Sequence, residues 1–349
     1  MQVAVTGGTG FIGKRVVRIL RERGHDVRCV VRTPEKASEL AALGATLSRG
    51  DILDAESLKR AFAGCEAVLH IAASYEMGVV GAAAQDALTK NLEGTRNALE
   101  AATGAGAKKI VYTSSIVVYG NTRGRDFAEG ERPEAIAFPA VHPTFYAMSK
   151  ARAHYEIAVP MMEAGAPIVI VQPGAVFGPS DHSTFRIFWN LLARGWPVPL
   201  GGARYGVVAV EDCALGHVLA LEKGRVGECY HLVDQNLCVA DFLARGGAAS
   251  GLSPHGIVFP DWMLSLNASV MSVIERIVPV PDIFSSDTLR GMSSQLSLTV
   301  TTDKARRELG WSPRPIEEAL RETIAEEMRR QGRTLALRAG AAPTLGAGR

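Results

Sequence analysis

The stretch Thr6-Gly7-Gly8-Thr9-Gly10-Phe11-Ile12-Gly13 constrains this chain more than any other. It follows an apolar run, Gln2 to Thr6, that reads as a buried strand. It opens a helical pattern over 11–23 that Gly24 stops. A strand that turns at once into a helix leaves free backbone N–H groups at the positive end of the helix dipole, a place suited to phosphate. Gly7 permits the tight turn, Gly10 lets the backbone approach a pyrophosphate, and Gly13 lets the helix pack close to the strand. Thr9, Phe11 and Ile12 complete the loop expected to hold a dinucleotide.

The pattern then repeats. Strand-like runs fall at 27–31, 67–71, 109–113 and 167–171. Helical patterns lie between them, one opened by the N-cap sequence Asp54-Ala55-Glu56-Ser57 and another, Ala-rich, over 85–102. Continuous apolar strands alternating with helices imply a parallel sheet covered on both faces, with right-handed crossovers. The fold class expected is α/β: a doubly wound, Rossmann-type sheet over 1–172, with a strand and helix near 206–232 returning to it. Val207 to Val210 reads as that returning strand. A smaller, discontinuous substrate lobe is expected over 173–205 and 233–330, where Pro and Gly become frequent, followed by a frayed tail at 331–349.

Composition excludes several classes. The net charge is +2 and no basic block stands out, so no nucleic-acid partner is expected. The cysteines (Cys29, Cys65, Cys213, Cys229 and Cys238) show no CxxC spacing, which suits reduced thiols and no metal. The N-terminus has no secretory pattern, and no run of 18 apolar residues suggests a spanning helix. A cytoplasmic protein is expected. The apolar segment 259–284 reads as a helix packed on the core, or else as a wall for a lipophilic substrate or a face for peripheral membrane contact.

The end of the second strand bears on cofactor type. A carboxylate there would bond the adenosine ribose of NAD. This chain has Val30-Val31-Arg32-Thr33 instead, and a guanidinium suits a 2′-phosphate. NADP(H) is therefore favoured, with NAD(H) as the alternative.

Tyr146-Ala147-Met148-Ser149-Lys150 places a phenol and an ammonium four residues apart, on one face of a helix beginning near 144, after Pro139 and Pro143. A neighbouring ammonium favours phenolate and brings the tyrosine pKa toward neutrality. Tyr146 can then exchange a proton with a substrate oxygen. Thr113-Ser114-Ser115 closes a strand whose end faces the cofactor crevice, where a hydroxyl can stabilise a reacting oxygen.

Together these motifs resemble the extended short-chain dehydrogenases/reductases: the TGxxGxxG loop, YxxxK, and Ser115-Ile116-Val117-Val118-Tyr119-Gly120 beside the family's SSxxVYG. The resemblance covers about 1–328. It implies that Ser115 is the catalytic serine, with Ser114 as the alternative. Asn91, in Asn91-Leu92-Glu93-Gly94-Thr95, would support Lys150. Asp51, followed by Ile52, would hold the adenine amino group, and Ala72 and Ala73 would let the backbone near the cofactor. Thr113 would join that set. Pro173, Gly174 and Val176, in a stretch like the family's RPxxVxGP, would contact the nicotinamide amide, with Gln172 standing where the family usually has Arg. Val210 to Ala214 and Lys304 to Trp311 match later landmarks of the family.

Within that family, Arg32 and a Val/Ile/Met/Trp-rich lobe point to the dihydroflavonol-4-reductase-like and 3β-hydroxysteroid-dehydrogenase-like branch. The expected reaction interconverts a secondary alcohol and a ketone on a steroid-, triterpenoid- or flavonoid-like substrate. Tyr75, Tyr119, His142 and Trp262 are candidates to line its pocket. Arg204 reads as surface, and His182 and His217 as structural. A homodimer is common in the family. A nucleotide-sugar epimerase with tightly bound NAD is the first alternative. A non-catalytic NADP sensor is the second, though such proteins typically lose the Tyr or Lys that this chain keeps.

Overall fold

The computed structural model describes residues 1–73, 81–132, 145–181, 185–196, 198–200, 202–252, 256–258, 260–275, 278, 280, 286, 289 and 296–334. Its strands are β1 (Gln2–Thr6), β2 (Asp26–Val31), β3 (Thr46–Arg49), β4 (Ala67–His70), β5 (Lys109–Thr113), β6 (Ile168–Pro173), β7 (Ala175–Phe177), β8 (Val198–Leu200), β9 (Arg204–Ala209), β10 (Cys229–Leu232), β11 (Gln235–Cys238), β12 (Gly256–Val258) and β13 (Ser297–Leu298). Its helices are α1 (Gly13–Glu22), α2 (Ser38–Ala42), α3 (Ala55–Phe62), α4 (Gly81–Gly104), α5 (Phe145–Arg152), α6 (Val159–Glu163), α7 (Phe185–Arg194), α8 (Val210–Lys223), α9 (Val239–Ser250), α10 (Asp261–Ile274) and α11 (Ile316–Arg330). A π-helical turn, Ala153–Ala158, joins α5 to α6.

The main sheet has the order β10-β6-β5-β4-β1-β2-β3, and every pair in it is parallel. The strand order reverses between β1 and β4, which opens a crevice at their carboxyl ends. Side chains alternate across the sheet. Val3, Val5, Val111 and Val171 meet α1 and α8 through Val16, Leu20, Cys213 and Val218. Ala4, Val68, Ile110 and Ile170 meet α3 and α4 through Leu58, Phe62, Ala98 and Leu99. This two-sided burial is why the strands read as unbroken apolar runs.

The strand read at 207–210 does not return to this sheet. It forms part of β9, which pairs antiparallel with β11 and parallel with β7 and β13. The returning strand is β10, parallel to β6. A run of consecutive buried residues carries no period that says which sheet receives it, and β9 is buried from Gly206 onward. Beside β9 lies a second core, in which Phe177, Trp189 and Phe242 interlock edge to face or tilted, with Leu320 and Ile324 of α11 against them.

The late landmarks dock residues 304–311 onto α8 and the β10 edge of the main sheet. Trp311 Nε1 donates to Asp212 O at 2.8 Å, and Lys304 Nζ donates to Glu228 and to Cys229 O at 2.7 and 2.9 Å. All the cysteines are free thiols. Among the described residues no helix is long and apolar enough to cross a membrane, and no cluster could hold a metal. Helix α10 buries Leu264 and Ala268, while Trp262, Leu266, Val270 and Val273 face outward.

Candidate active site

The glycine loop is held by contacts that admit nothing larger. Gly7 has φ +76°, a left-handed conformation, and a Cβ there would sit 2.7 Å from Ala72 N. A Cβ on Gly13 would lie 2.0 Å from Gly7 O, which accepts from Gly10 N at 3.0 Å. Helix α1 then starts with no side-chain cap and no acidic residue in its first turn. Its N–H groups and partial positive charge are thus left for an anion, and Thr9 and Gly10 are exposed at its mouth, with Phe11 and Ile12 half-buried. This cradle fits a dinucleotide pyrophosphate.

At the far end of the crevice, Arg32 is exposed just beyond β2. The sequence reading missed its neighbour. Arg49 closes β3 in register with Val31, donates to Arg32 O at 3.4 Å, and pairs with Glu35 at 3.0 Å. Only the strand pairing brings two positions so distant in sequence together. Asp51 Oδ1 accepts from Leu53 N at 3.0 Å. Ile52 packs on Gly94, where a Cβ would lie 2.6 Å from Ile52 Cδ1, and Ile52 O accepts from Asn97. The Asn-Leu-Glu-Gly-Thr segment of α4 therefore seats the loop after β3 as well as facing α5.

Lys150 is buried on α5 and donates to Thr113 O, at the end of β5, at 3.0 Å. Burial pulls its pKa down to about 8. Tyr146 is half-buried one turn earlier on the same face. Asn91 Nδ2 donates to Ser149 Oγ at 3.2 Å, and that hydroxyl donates to Tyr146 O at 2.9 Å. Asn91 thus braces the helix turn that carries both Tyr146 and Lys150. Ser115 follows β5; its hydroxyl donates to Pro173 O and accepts from Val117 N, each at 3.3 Å. The topology brings Ser115, Tyr146, Lys150 and Asn91 to one end of β5.

Other expected residues stand differently. The Thr113 side chain points into the core and donates to His217 Nε2 at 3.0 Å, because His217 Nδ1–H is spent on Cys213 O at 2.8 Å. What Thr113 offers the crevice is its carbonyl. Tyr119, expected in a substrate wall, is 2% exposed, and its hydroxyl donates to His231 Nε2 at 2.9 Å. It lies 3.3 Å from Gln172 Oε1, and it is a core residue because its ring packs under Phe127. Trp262 is 69% exposed on the outer face of α10, so it walls no enclosed pocket among the described residues. Ala72 closes over Gly7, and Ala73 is exposed. Gly174 packs on Gly206 O, where a Cβ would lie 2.3 Å away, and Val176 pairs with Val208. Arg204 is exposed. Tyr75, His142 and His182 lie outside the described residues.

Three buried imidazoles line the underside of the site. His70 Nδ1 shares a hydrogen bond with Thr6 Oγ1 at 2.8 Å, His154 Nδ1 with Ser114 Oγ at 3.0 Å, and His217 with Thr113. Burial lowers their pKa values to about 3, 3 and 4. They stay neutral and fix the hydroxyls at the sheet end. The Ser114 hydroxyl is therefore held by His154, whereas the Ser115 hydroxyl bonds Pro173 O and Val117 N.

Comparison with known proteins gives the family of the chain. The sequence profile of the NAD dependent epimerase/dehydratase family matches residues 3–233. A Synechocystis sp. protein provisionally named dihydroflavonol 4-reductase is 31% identical over 92% of this chain and 92% of its own. The Homo sapiens 3 beta-hydroxysteroid dehydrogenase type 7 is 31% identical over 88% of this chain and 90% of its own. The crystal structure of gox2253 superimposes with a TM-score of 0.79 at 32% identity, covering 95% of this chain and 99% of that one. With an uncapped glycine loop, a parallel sheet of this order and these relatives along nearly its whole length, the chain belongs to the NAD-dependent epimerase/dehydratase family, as an enzyme of the extended NAD(P)-dependent dehydrogenase/reductase type.

Proposed function

We propose that this protein is an NADP(H)-preferring oxidoreductase that interconverts a secondary alcohol and a ketone on a lipophilic, steroid-, triterpenoid- or flavonoid-like substrate. The observation that carries the reading is Lys150, buried against Thr113 O one helical turn from Tyr146. A desolvated ammonium at that place draws the Tyr146 phenol toward phenolate, so that its oxygen takes or gives the proton of the substrate hydroxyl. Ser115 bonds the same substrate oxygen. Its present bond to Pro173 O is long at 3.3 Å, so it is cheaply exchanged for a substrate. The bound nicotinamide supplies the hydride acceptor or donor. Glycines 7, 10 and 13 with Thr9, Phe11 and Ile12 hold the pyrophosphate, Asp51 and Ile52 the adenine end, and the 173–176 stretch the nicotinamide end.

The pair Arg32 and Arg49 supports NADP(H), since two guanidiniums at the ribose end suit a phosphate dianion. The substrate class is supported by relatives named as acting on steroids, and by a Stigmatella aurantiaca ketoreductase of a farnesylated quinoline oxide, 29% identical over 90% of this chain.

Fluorescence titration with NADPH and NADH, on the wild type and Arg32→Ala, tests the cofactor half. NADPH should bind at least about tenfold tighter, and Arg32→Ala should erase that margin. Tight NAD that co-purifies, with no NADPH preference, would instead favour a sugar-nucleotide epimerase. Turnover of steroid-like ketones with NADPH then tests the substrate half.

A further inference from the structure

Away from the crevice, the C-terminal ends of α7 and α11 converge on a cavity of about 520 Å³. Arg186, Arg194, Arg330 and Arg333 line it, and Trp196, 56% exposed, forms part of its wall. Nothing in the oxidoreductase chemistry uses these residues.

Two of the guanidiniums are already matched. Arg330 donates to Glu326 at 2.7 Å, and Arg186 lies 3.6 Å from Glu327. The Glu327 carboxylate is buried and also accepts from Asn190 Nδ2 at 2.7 Å. Arg194 and Arg333 differ. Arg194 Nε donates to Asn190 Oδ1 at 3.0 Å, and Arg333 donates to Ala193 O. Both acceptors are neutral, and among the described residues neither guanidinium has a carboxylate within ion-pair distance.

Arginines also collect at helix C-termini for a plainer reason, to balance the helix dipole. The magnitudes decide between the two. Two helix ends together supply about one negative charge, against two guanidiniums without an acid. A surplus of about one positive charge remains in the cavity. Beside it stands a flat aromatic surface: the Arg194 guanidinium lies 5.5 Å from the Trp196 ring centroid, and more than half of that residue is open to solvent. An unbalanced cationic pair next to an exposed indole matches an anion that carries a planar ring. The cavity is an open groove, and its volume falls within the usual range for small-ligand sites.

We propose that the α7–α11 cavity binds a nucleoside phosphate, with the phosphate on Arg194 and Arg333 and the base stacked on Trp196. Guanidiniums take phosphate oxygens bidentately, and indole stacks on any base. The site is separate from the dinucleotide crevice, and it stands whether or not the proposed substrate class is right.

The test is calorimetric and fluorescence titration with ADP, on the full chain already saturated with whichever dinucleotide it binds more tightly. One further ADP should bind per chain, quenching tryptophan fluorescence. Trp196→Phe should keep the binding and lose the quench. The double variant Arg194→Gln/Arg333→Gln should bind ADP at least about tenfold more weakly, with dinucleotide affinity unchanged as the check that it is folded. ADP binding that disappears once the crevice is filled overturns the proposal. So does ADP affinity in the double variant within about twofold of wild type.

Discussion

Lys150 Nζ donates to Thr113 O at 3.0 Å, and both residues are sealed from water. The bond fastens the helix that carries Tyr146 to the strand that ends in Ser115. It also leaves an ammonium in a poorly solvated place, with its pKa pulled down to about 8 by burial.

That burial makes a prediction about stability. A lysine in the unfolded chain titrates near 10.4. Between pH 8 and that value the unfolded chain holds the extra proton, so stability rises with pH. The difference in unfolding free energy, wild type minus Lys150→Met, should grow by about 1–3 kcal/mol from pH 7.5 to 10. Denaturant unfolding at the two pH values measures it. A difference that stays flat would mean that Lys150 is solvated.

Tyr146→Phe keeps the ring and removes the proton carrier. Its kcat should fall by about 10²–10⁴, with the dissociation constant for the dinucleotide within about twofold of wild type. Lys150→Met should lose turnover and, if the proposed site is right, also weaken dinucleotide binding, because its ammonium would then bond the nicotinamide ribose. A Tyr146→Phe enzyme with wild-type kcat would falsify the proposed chemistry.

Much of this was legible in the sequence. Strands β1 and β5 fall where the apolar runs place them, and Asp54 caps α3 through Ser57 N as its sequence implies. The glycine loop and the Tyr–Lys spacing were legible because each is a local pattern with one geometric meaning. What stayed hidden depends on partners far along the chain. Arg49 meets Arg32 only through strand register, and His217 meets Thr113 across more than a hundred residues. The Tyr119 hydroxyl turned inward because His231, on β10, offers it an acceptor. The assignment of β9 to a second sheet was equally unreadable, since buried strands look alike whichever sheet they join.

Gly13→Ala should be far worse than Gly10→Ala. The new Cβ would meet Gly7 O at 2.0 Å in the first case and at 3.2 Å in the second. Backbone cannot swing aside as a side chain can, so Gly13→Ala must displace the loop from the helix start. Its dinucleotide affinity should drop by about a hundredfold or more, against about tenfold or less for Gly10→Ala, as read by fluorescence titration.

Four buried histidines set the acid limit. Burial lowers His70 and His154 to about 3, and His217 and His231 to about 4. In the unfolded chain each takes a proton near pH 6.5. Their contribution is therefore complete above pH 6.5 and is lost as pH falls toward 4, at up to about 1.4 kcal/mol per histidine per pH unit. The melting temperature should drop steeply between pH 6 and 4.5. His70→Asn, which can keep a polar group near Thr6 Oγ1, should lower the slope by about one proton. An unchanged slope would place His70 outside the acid transition.

Arg49 is exposed and rests on Glu35 at 3.0 Å, with its backbone-side contact to Arg32 O. An exposed ion pair of this kind is worth little, so a phosphate dianion can take Arg49 from Glu35 at small cost. Arg49→Gln should weaken NADPH by about three- to tenfold and leave NADH unchanged, since only the 2′-phosphate meets that side chain. Glu35→Gln should act in the opposite sense, tightening NADPH by removing a competing carboxylate. Paired titrations of both variants with both dinucleotides read this directly. Equal losses for NADPH and NADH in Arg49→Gln would show that Arg49 only holds the loop after β2 in place, and selectivity would then rest on Arg32 alone.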